Sequence, residues 1–342
     1  MATIYKTLTN NDTTSTRTLL HEAIPLTGTI VSGTYGVAGA LGSEPNVKNF
    51  PHEMFQSVYD YPYLSSSANH IFDITVGYAS SSIYADSTTT YHDKKINIYN
   101  QMAQVLAGYD DQGSIREFDE DGNFAAGGTK ITEALFINFS RLLVKDEIKK
   151  GSFSFSLGTG SYATPFAVTP ITISDVSGNA GYKVNSPAGE YGILYNDDDP
   201  IGLIYYQAGI MVMNLTGTHE LEWLSAGLDT YDILTGSYSQ EAFANGLRHR
   251  IQNISFNNTV ELNSTIYFCR VNHNEFNYSS NPTYISGSRI VVKNNPTDAP
   301  VSYITTVGLY SADNELLAVA KLSEPLKKDP TNEITLRVRL DY

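Results

Sequence analysis

One cysteine and one tryptophan stand in a chain of 342 residues, and charged side chains make up only 17% of it. A single thiol, Cys269, cannot close an intrachain disulfide, so stability has to come from packing or from assembly. Cys269 sits in the strand-like run Thr265 to Val271 with no Cys–His signature near it. It therefore reads as a small buried hydrophobe and not as a nucleophile. Basic residues are scarce as well: 22 Lys and Arg face 36 Asp and Glu, a net charge of −14. Nucleic-acid binding needs Lys and Arg to displace counterions from phosphate. The pairs Lys94-Lys95, Lys149-Lys150 and Lys327-Lys328 are too isolated for that, and no nucleic-acid partner is expected.

Long apolar runs are missing too. The longest, Ile201 to Leu215, is interrupted by Gly202, Gln207 and Gly209 and falls short of the ~20 residues of a membrane span. No membrane partner is expected. The opening residues Met1 to Lys6 carry no basic-then-apolar leader, which points to a protein made and used in a reducing cytosol, or in something assembled there.

Signatures of chemistry fail their own spacing tests. The run Gly122 to Thr129 resembles a phosphate-binding loop, but that loop needs Lys directly after its second glycine, where this chain has Gly128. Asp119-Glu120-Asp121-Gly122-Asn123 resembles a calcium loop, whose closing glutamate would fall at position 130; that residue is Lys130. Asp197-Asp198-Asp199 before Pro200 is a weaker acidic cluster. The seven histidines, at 21, 52, 70, 92, 219, 249 and 273, never fall at metal-ligand spacing, and no Gly-x-Ser-x-Gly elbow occurs. The sequence thus nominates no catalytic, cofactor-binding or metal-binding residue, and the expectation is a protein that is not an enzyme and has no cofactor.

What the chain has in quantity is tyrosine, 24 residues, together with Thr, Asn, Ser and Gly. Thr and Tyr suit half-buried pleated strands, and Gly and Asn suit the turns between them. Period-2 alternation marks Phe72 to Val76, Leu135 to Phe139, Phe153 to Leu157 and Ile334 to Leu340. A helix is predicted over Lys94 to Ala107, capped by Asp93 and ended by Gly108. A second, short helix through Arg250 is predicted from Ser237 and Gln240, a capping-box pair. Asp313-Asn314 between apolar runs predicts a hairpin over Ile304 to Ala320.

The expected class is mainly β: antiparallel sheets in sandwich-like units, one or two short helices, and an extended N-terminal arm. The expected segments are an arm at 1–65, rich in Thr, Asn and Gly with a small-residue patch from Gly28 to Gly42, a β-rich domain with one helix at 66–160, and a β-rich C-terminal domain at 161–342.

Three segments carry a resemblance: Phe139 to Phe153, Asn274 to Thr283, and Tyr303-Ile304-Thr305-Thr306-Val307-Gly308-Leu309-Tyr310 continuing through Leu316 to Leu322. Together they resemble proteins of tailed bacteriophages, especially the myoviruses of aquatic bacteria. The third also resembles a hairpin of phage tail-collar and tail-fibre attachment domains, which carry an acidic residue where this chain has Thr306. The resemblance implies a non-catalytic virion subunit of tail or baseplate type. Its implied partners are other virion subunits and copies of itself, and it would be assembled in the host cytoplasm. Other virion positions (neck, fibre, capsid surface) and a host-surface carbohydrate-binding module are the alternatives.

Overall fold

The structure, a computed structural model, describes residues 5–26, 44–85, 88, 91–124, 127–175, 181–215, 228–279, 285–286, 289–290, 297 and 299–342. The small-residue patch at 28–42 lies outside them. Strand makes up 46% and helix 15%, so the mainly-β expectation holds with a wide margin. The chain divides into two compact units: a central unit, Leu20–Val260, and a terminal unit, Met1–Leu19 with Glu261–Tyr342. Two strands, β1 (Thr13–Pro25) and β15 (Ile251–Val271), contribute residues to both.

In the central unit the other strands are β2 (Val47–Asn49), β3 (Gln56–Tyr59), β4 (His70–Tyr78), β5 (Phe118–Asp119), β6 (Lys130–Ile131), β7 (Glu133–Phe139) and β8 (Glu147–Ile148). They continue with β9 (Ser154–Leu157), β10 (Ile171–Ser174), β11 (Lys183–Ser186), β12 (Gly189–Asn196), β13 (Asp199–Tyr205) and β14 (Ile210–Asn214). Its helices are α1 (His92–Leu106), α2 (Arg141–Val144), α3 (Thr230–Thr235) and α4 (Gln240–Arg250). One antiparallel sheet runs in the order β15-β9-β10-β12-β13-β14-β7-β4-β3-β2.

Both faces of the middle strands are covered, which is why β7 is apolar at successive positions. Leu135, Ile137 and Phe139 enter one core with Phe243 and Leu247 of α4. Ala134 and Phe136 enter the other with Ile98, Tyr99 and Leu106 of α1. The sheet also curls. Six places along from β7, β15 brings Phe256 back to within 5.3 Å of Phe139, with Phe153 at 5.8 Å. One continuous sheet thus closes over its own core as a sandwich does.

Helix α1 lies close on β4 because Gly77 has no side chain. A Cβ there would come within 2.5 Å of the Lys95 carbonyl oxygen and 2.8 Å of the Tyr99 nitrogen. Asp93 lies in the first turn and Tyr91 holds the capping position, so the helix starts two residues before the predicted Lys94. At the far end Gly108, at φ +80°, donates its N–H to Ala103 O at 2.9 Å, as predicted. Helix α4 is capped by Ser239, not Ser237: the Ser239 hydroxyl accepts from the Ala242 N–H at 3.4 Å. Helix α3 escapes the sequence reading because its reciprocal cap is Asp229 with Asp232, where Ser or Thr with Glu or Gln is the usual signature.

Neither 65 nor 160 is a boundary between compact units. Strand β3 pairs with β4 from Gln56↔Ile74 to Tyr59↔His70, and β9 pairs with β10 from Leu157↔Ile171 to Ser154↔Ser174. Thr/Asn-rich composition concealed the pairing, since the buried side chains at 44–59 include polar Asn46, Gln56 and Ser57.

Buried charge ties the elements together. Lys95 donates to the Ile233 and Leu234 carbonyls, at 3.0 and 2.8 Å, at the end of α3, and burial pushes its ammonium down to about 8. Arg248, fully buried on α4, donates to Glu44 at 3.1 Å and to Gln56 at 2.6 Å. Asp175 accepts from the N–H groups of Gly151 and Phe153, at 2.7 and 2.8 Å, and from the Tyr206 hydroxyl at 3.1 Å. Burial outweighs these donors and pushes the Asp175 carboxyl up to about 6.

Two predictions follow from this packing. Gly77→Ala forces backbone apart and is expected to lower the urea-unfolding free energy by about 1–3 kcal/mol; an unchanged midpoint would contradict the close approach. Asp175 holds its proton longer folded than unfolded. Its contribution is therefore full below pH ~4 and is lost as pH rises through about 6. Relative to Asp175→Asn, the native chain should lose on the order of 2–3 kcal/mol between pH 4 and 7. Parallel stability curves for the two proteins would refute this.

Candidate contact surface

The acidic loop is a turn closed by the residue that spoils the calcium pattern. Asp119 is fully buried and ion-pairs with Lys130, its neighbour across the β5–β6 pair. Burial pushes the Asp119 carboxyl up while the ammonium of Lys130 pulls against it. Asp121 Oδ1 accepts the Asn123 N–H at 3.0 Å, an Asx turn. Asp197 and Asp198 form the two-residue link between β12 and β13, where Asn196 pairs with Asp199 and Asp197 adopts φ +53°. The Gly-rich run contains Ala125 and Ala126, which are outside the described residues.

The described histidines are spread among separate partners. His70 meets Asp73 at 2.8 Å, His92 meets the Tyr78 hydroxyl at 2.7 Å, and His249 meets the Tyr162 carbonyl at 2.7 Å. His219 lies outside the described residues. No group of three or more His, Cys, Asp or Glu among the described residues could hold a metal, and no described helix is long and apolar enough to cross a membrane.

Exposed apolar side chains occur in both units, Leu64, Ile83 and Leu142 of the central one among them; what sets the terminal unit apart is how few of its described apolar residues are buried. Its remaining strands are β16 (Ile285–Ser286), β17 (Arg289–Ile290), β18 (Ser302–Tyr310), β19 (Leu316–Lys328) and β20 (Ile334–Asp341). Strand β20 pairs antiparallel with β15, from Ser264↔Asp341 to Val271↔Ile334. Directly opposed residues share a face, so Thr265, Tyr267, Cys269 and Val271 stand with Leu340, Val338, Leu336 and Ile334. Only Val338 of that alternating set is buried among the apolar ones. Cys269 is half-buried, not buried as its strand-like surroundings suggested, because this face is only partly covered; what burial it has pushes its thiol up.

Strands β18 and β19 form the predicted hairpin, with Tyr310 opposite Leu316 and the reversal at 311–315, where Asn314 takes φ +64°. Gly308↔Val319 and Thr306↔Lys321 pair on one face. There Leu317 is 67% exposed, Val319 53% and Tyr310 44%; Leu316, at the irregular last pair, is 53% exposed. The base of the hairpin is anchored by Lys328. This fully buried ammonium donates to His273 O, Asn277 Oδ1 and Asp329 O at 3.2, 2.6 and 2.8 Å. The segment from Tyr5 is attached by Tyr5 against Tyr310, ring centroids 4.9 Å apart, and by the ion pairs Lys6–Glu275, Asp12–Arg270 and Arg17–Glu261.

Among the described apolar residues of the terminal unit, only Val301, Leu309 and Val338 are buried; every other buried one belongs to the central unit. A two-stranded ribbon is marginal alone in water, and exposed ion pairs contribute at most about 1 kcal/mol each. Among its described residues the terminal unit is therefore a set of paired strands with little apolar core of its own.

Sequence reasoning located this hairpin but not its exposure. Alternation in Ile334 to Leu340 shows that one face is apolar, and says nothing of what lies over it. Amide exchange on the purified chain should show β18, β19 and β20 opening with far lower free energy than β4 and β7. Equal protection in the two units would mean that the terminal strands are stabilised by something other than a core.

The chain matches no protein-family model, no curated protein and no solved structure.

Proposed function

We propose that this chain is a structural subunit of a bacteriophage virion, of the tail or baseplate kind, working through protein–protein contact. The observation that carries this reading is that, among its described apolar residues, the terminal unit buries only Val301, Leu309 and Val338, while Tyr310, Leu317 and Val319 stay exposed. A unit of that kind is completed when a neighbouring subunit covers it, and folding free energy and binding free energy then come from the same buried area. The resemblance of Tyr303 to Leu322 to phage tail hairpins falls on the same ribbon. Tyrosine suits such a surface, since it supplies contact area at low entropic cost; Tyr303, Tyr310 and Tyr342 are all exposed here. In this reading the partners are other virion subunits and copies of the chain, and its place is the particle, assembled in the host cytoplasm.

The test is incorporation. Leu336→Asp combined with Val338→Asp puts charge on the apolar face of β20, and the doubly substituted chain should be absent from purified particles by mass spectrometry. Alanine at the exposed residues Asp121, Asp198 or His273 should leave incorporation and infectivity nearly unchanged, since such changes usually cost under ~0.5 kcal/mol. If one of these alanine chains enters particles normally and still abolishes infection, a site with its own chemistry exists and the contact-only reading fails.

A further inference from the structure

The assembly reading leaves open what covers the ribbon, and the distribution of charge separates the candidates. Residues 1–19 and 261–342 carry ten basic side chains and ten acidic ones, leaving twelve basic against twenty-six acidic in residues 20–260. The terminal unit is neutral and the central unit holds the entire net charge of −14. Two copies that met through their central units would repel each other. Through their terminal units they would not.

Within the terminal unit the two strands of the ribbon differ in a telling way. Natural edge strands are protected from pairing by charges, lysine above all, and by proline. Strand β19 has these devices in Lys321, Glu324, Pro325 and Lys327. Strand β18, Ser-Tyr-Ile-Thr-Thr-Val-Gly-Leu-Tyr, has no charged residue and no proline. Among the described residues β19 is its only strand partner, so its other edge offers unpaired backbone over nine residues, about 30 Å.

We propose that a second copy of this chain docks on that edge, β18 against β18 and antiparallel about a two-fold axis, so that two ribbons become one four-stranded sheet. An antiparallel pair about a two-fold needs a strand that complements itself. With the axis at Thr306, the midpoint of β18, Tyr303 meets Leu309 and Thr305 meets Val307, pairs that suit a sheet. Neither copy brings charge to the seam, and the exposed side chains Tyr310, Leu317 and Val319 of the two ribbons extend one shared apolar face. A strand from a different subunit could use the same edge, but neutrality on this side gives a charged partner no electrostatic advantage over a copy.

The proposal rests on the contact reading above and is tested apart from it, on the purified full chain by sedimentation equilibrium. The native chain should be dimeric, or in reversible monomer–dimer exchange, below about 0.1 mM. Thr305→Lys and Thr305→Glu each place like charges on diagonal neighbours across the axis, within reach of long side chains. Each should weaken the dimer on the order of tenfold while leaving the circular dichroism unchanged. An equimolar mixture of the two variants should recover dimer as the mixed pair, a result that misfolding of either variant cannot produce. A native chain that stays monomeric overturns the proposal, as does a dimer indifferent to both substitutions or a mixture that behaves as its parts. Failure here would leave incorporation into particles untouched, and failure of incorporation would leave the dimer untouched.

Discussion

Coverage of apolar faces is the constraint on which the rest depends. A β-sheet has two faces, and each apolar face has to be buried against something. In the central unit both are: helices α1 and α4 lie on opposite sides of β4 and β7, and the sheet curls so that β15 faces β7. The same alternation of apolar and polar side chains in β20 is covered only in part, with Val338 buried and Ile334, Leu336 and Leu340 half-buried. Identical local rules therefore yield a closed core in one unit and a partly covered face in the other.

The polar interior of the central unit follows from this closure. Lys95, Asp175 and Arg248 lie where water is excluded, and each is held by donors or acceptors from a different element: the α3 carbonyls, the 151–153 backbone, and the segments around Glu44 and Gln56. Breaking such a contact leaves a buried charge without compensation, which costs more than the contact itself contributes. The contacts thus fix which elements go together, while the apolar clusters supply the stabilisation.

Much of the fold was legible in the sequence. Period-2 patterns located β4, β7, β9 and β20, Asp93 and Gly108 bracketed α1, and Asp313-Asn314 located the hairpin turn. Other parts were hidden for identifiable reasons. The β2–β3 segment buries Asn46, just before β2, with Gln56 and Ser57 of β3, and these read as polar coil, so a sheet edge looked like an arm. Arg248, His249 and Arg250 close the helix predicted through Arg250, yet their charged and polar side chains do not announce that all three are buried. The exposure of the ribbon was the least legible, because Leu317 and Val319 look the same in sequence whether covered or bare. Only the three-dimensional count of what lies over them distinguishes the two.

The terminal unit is built from both sides of the central one in the chain: Asp12 pairs with Arg270, and Arg17 with Glu261. During synthesis residues 20–260 leave the ribosome before β18 and β19, and their core contains everything needed to close. The uncharged strand therefore emerges after the acidic bulk of the chain and shortly before its partner β19. The order of emergence shortens the time in which the bare edge can meet a wrong partner on a crowded polysome, a safeguard that comes from the chain's connectivity and not from any single residue.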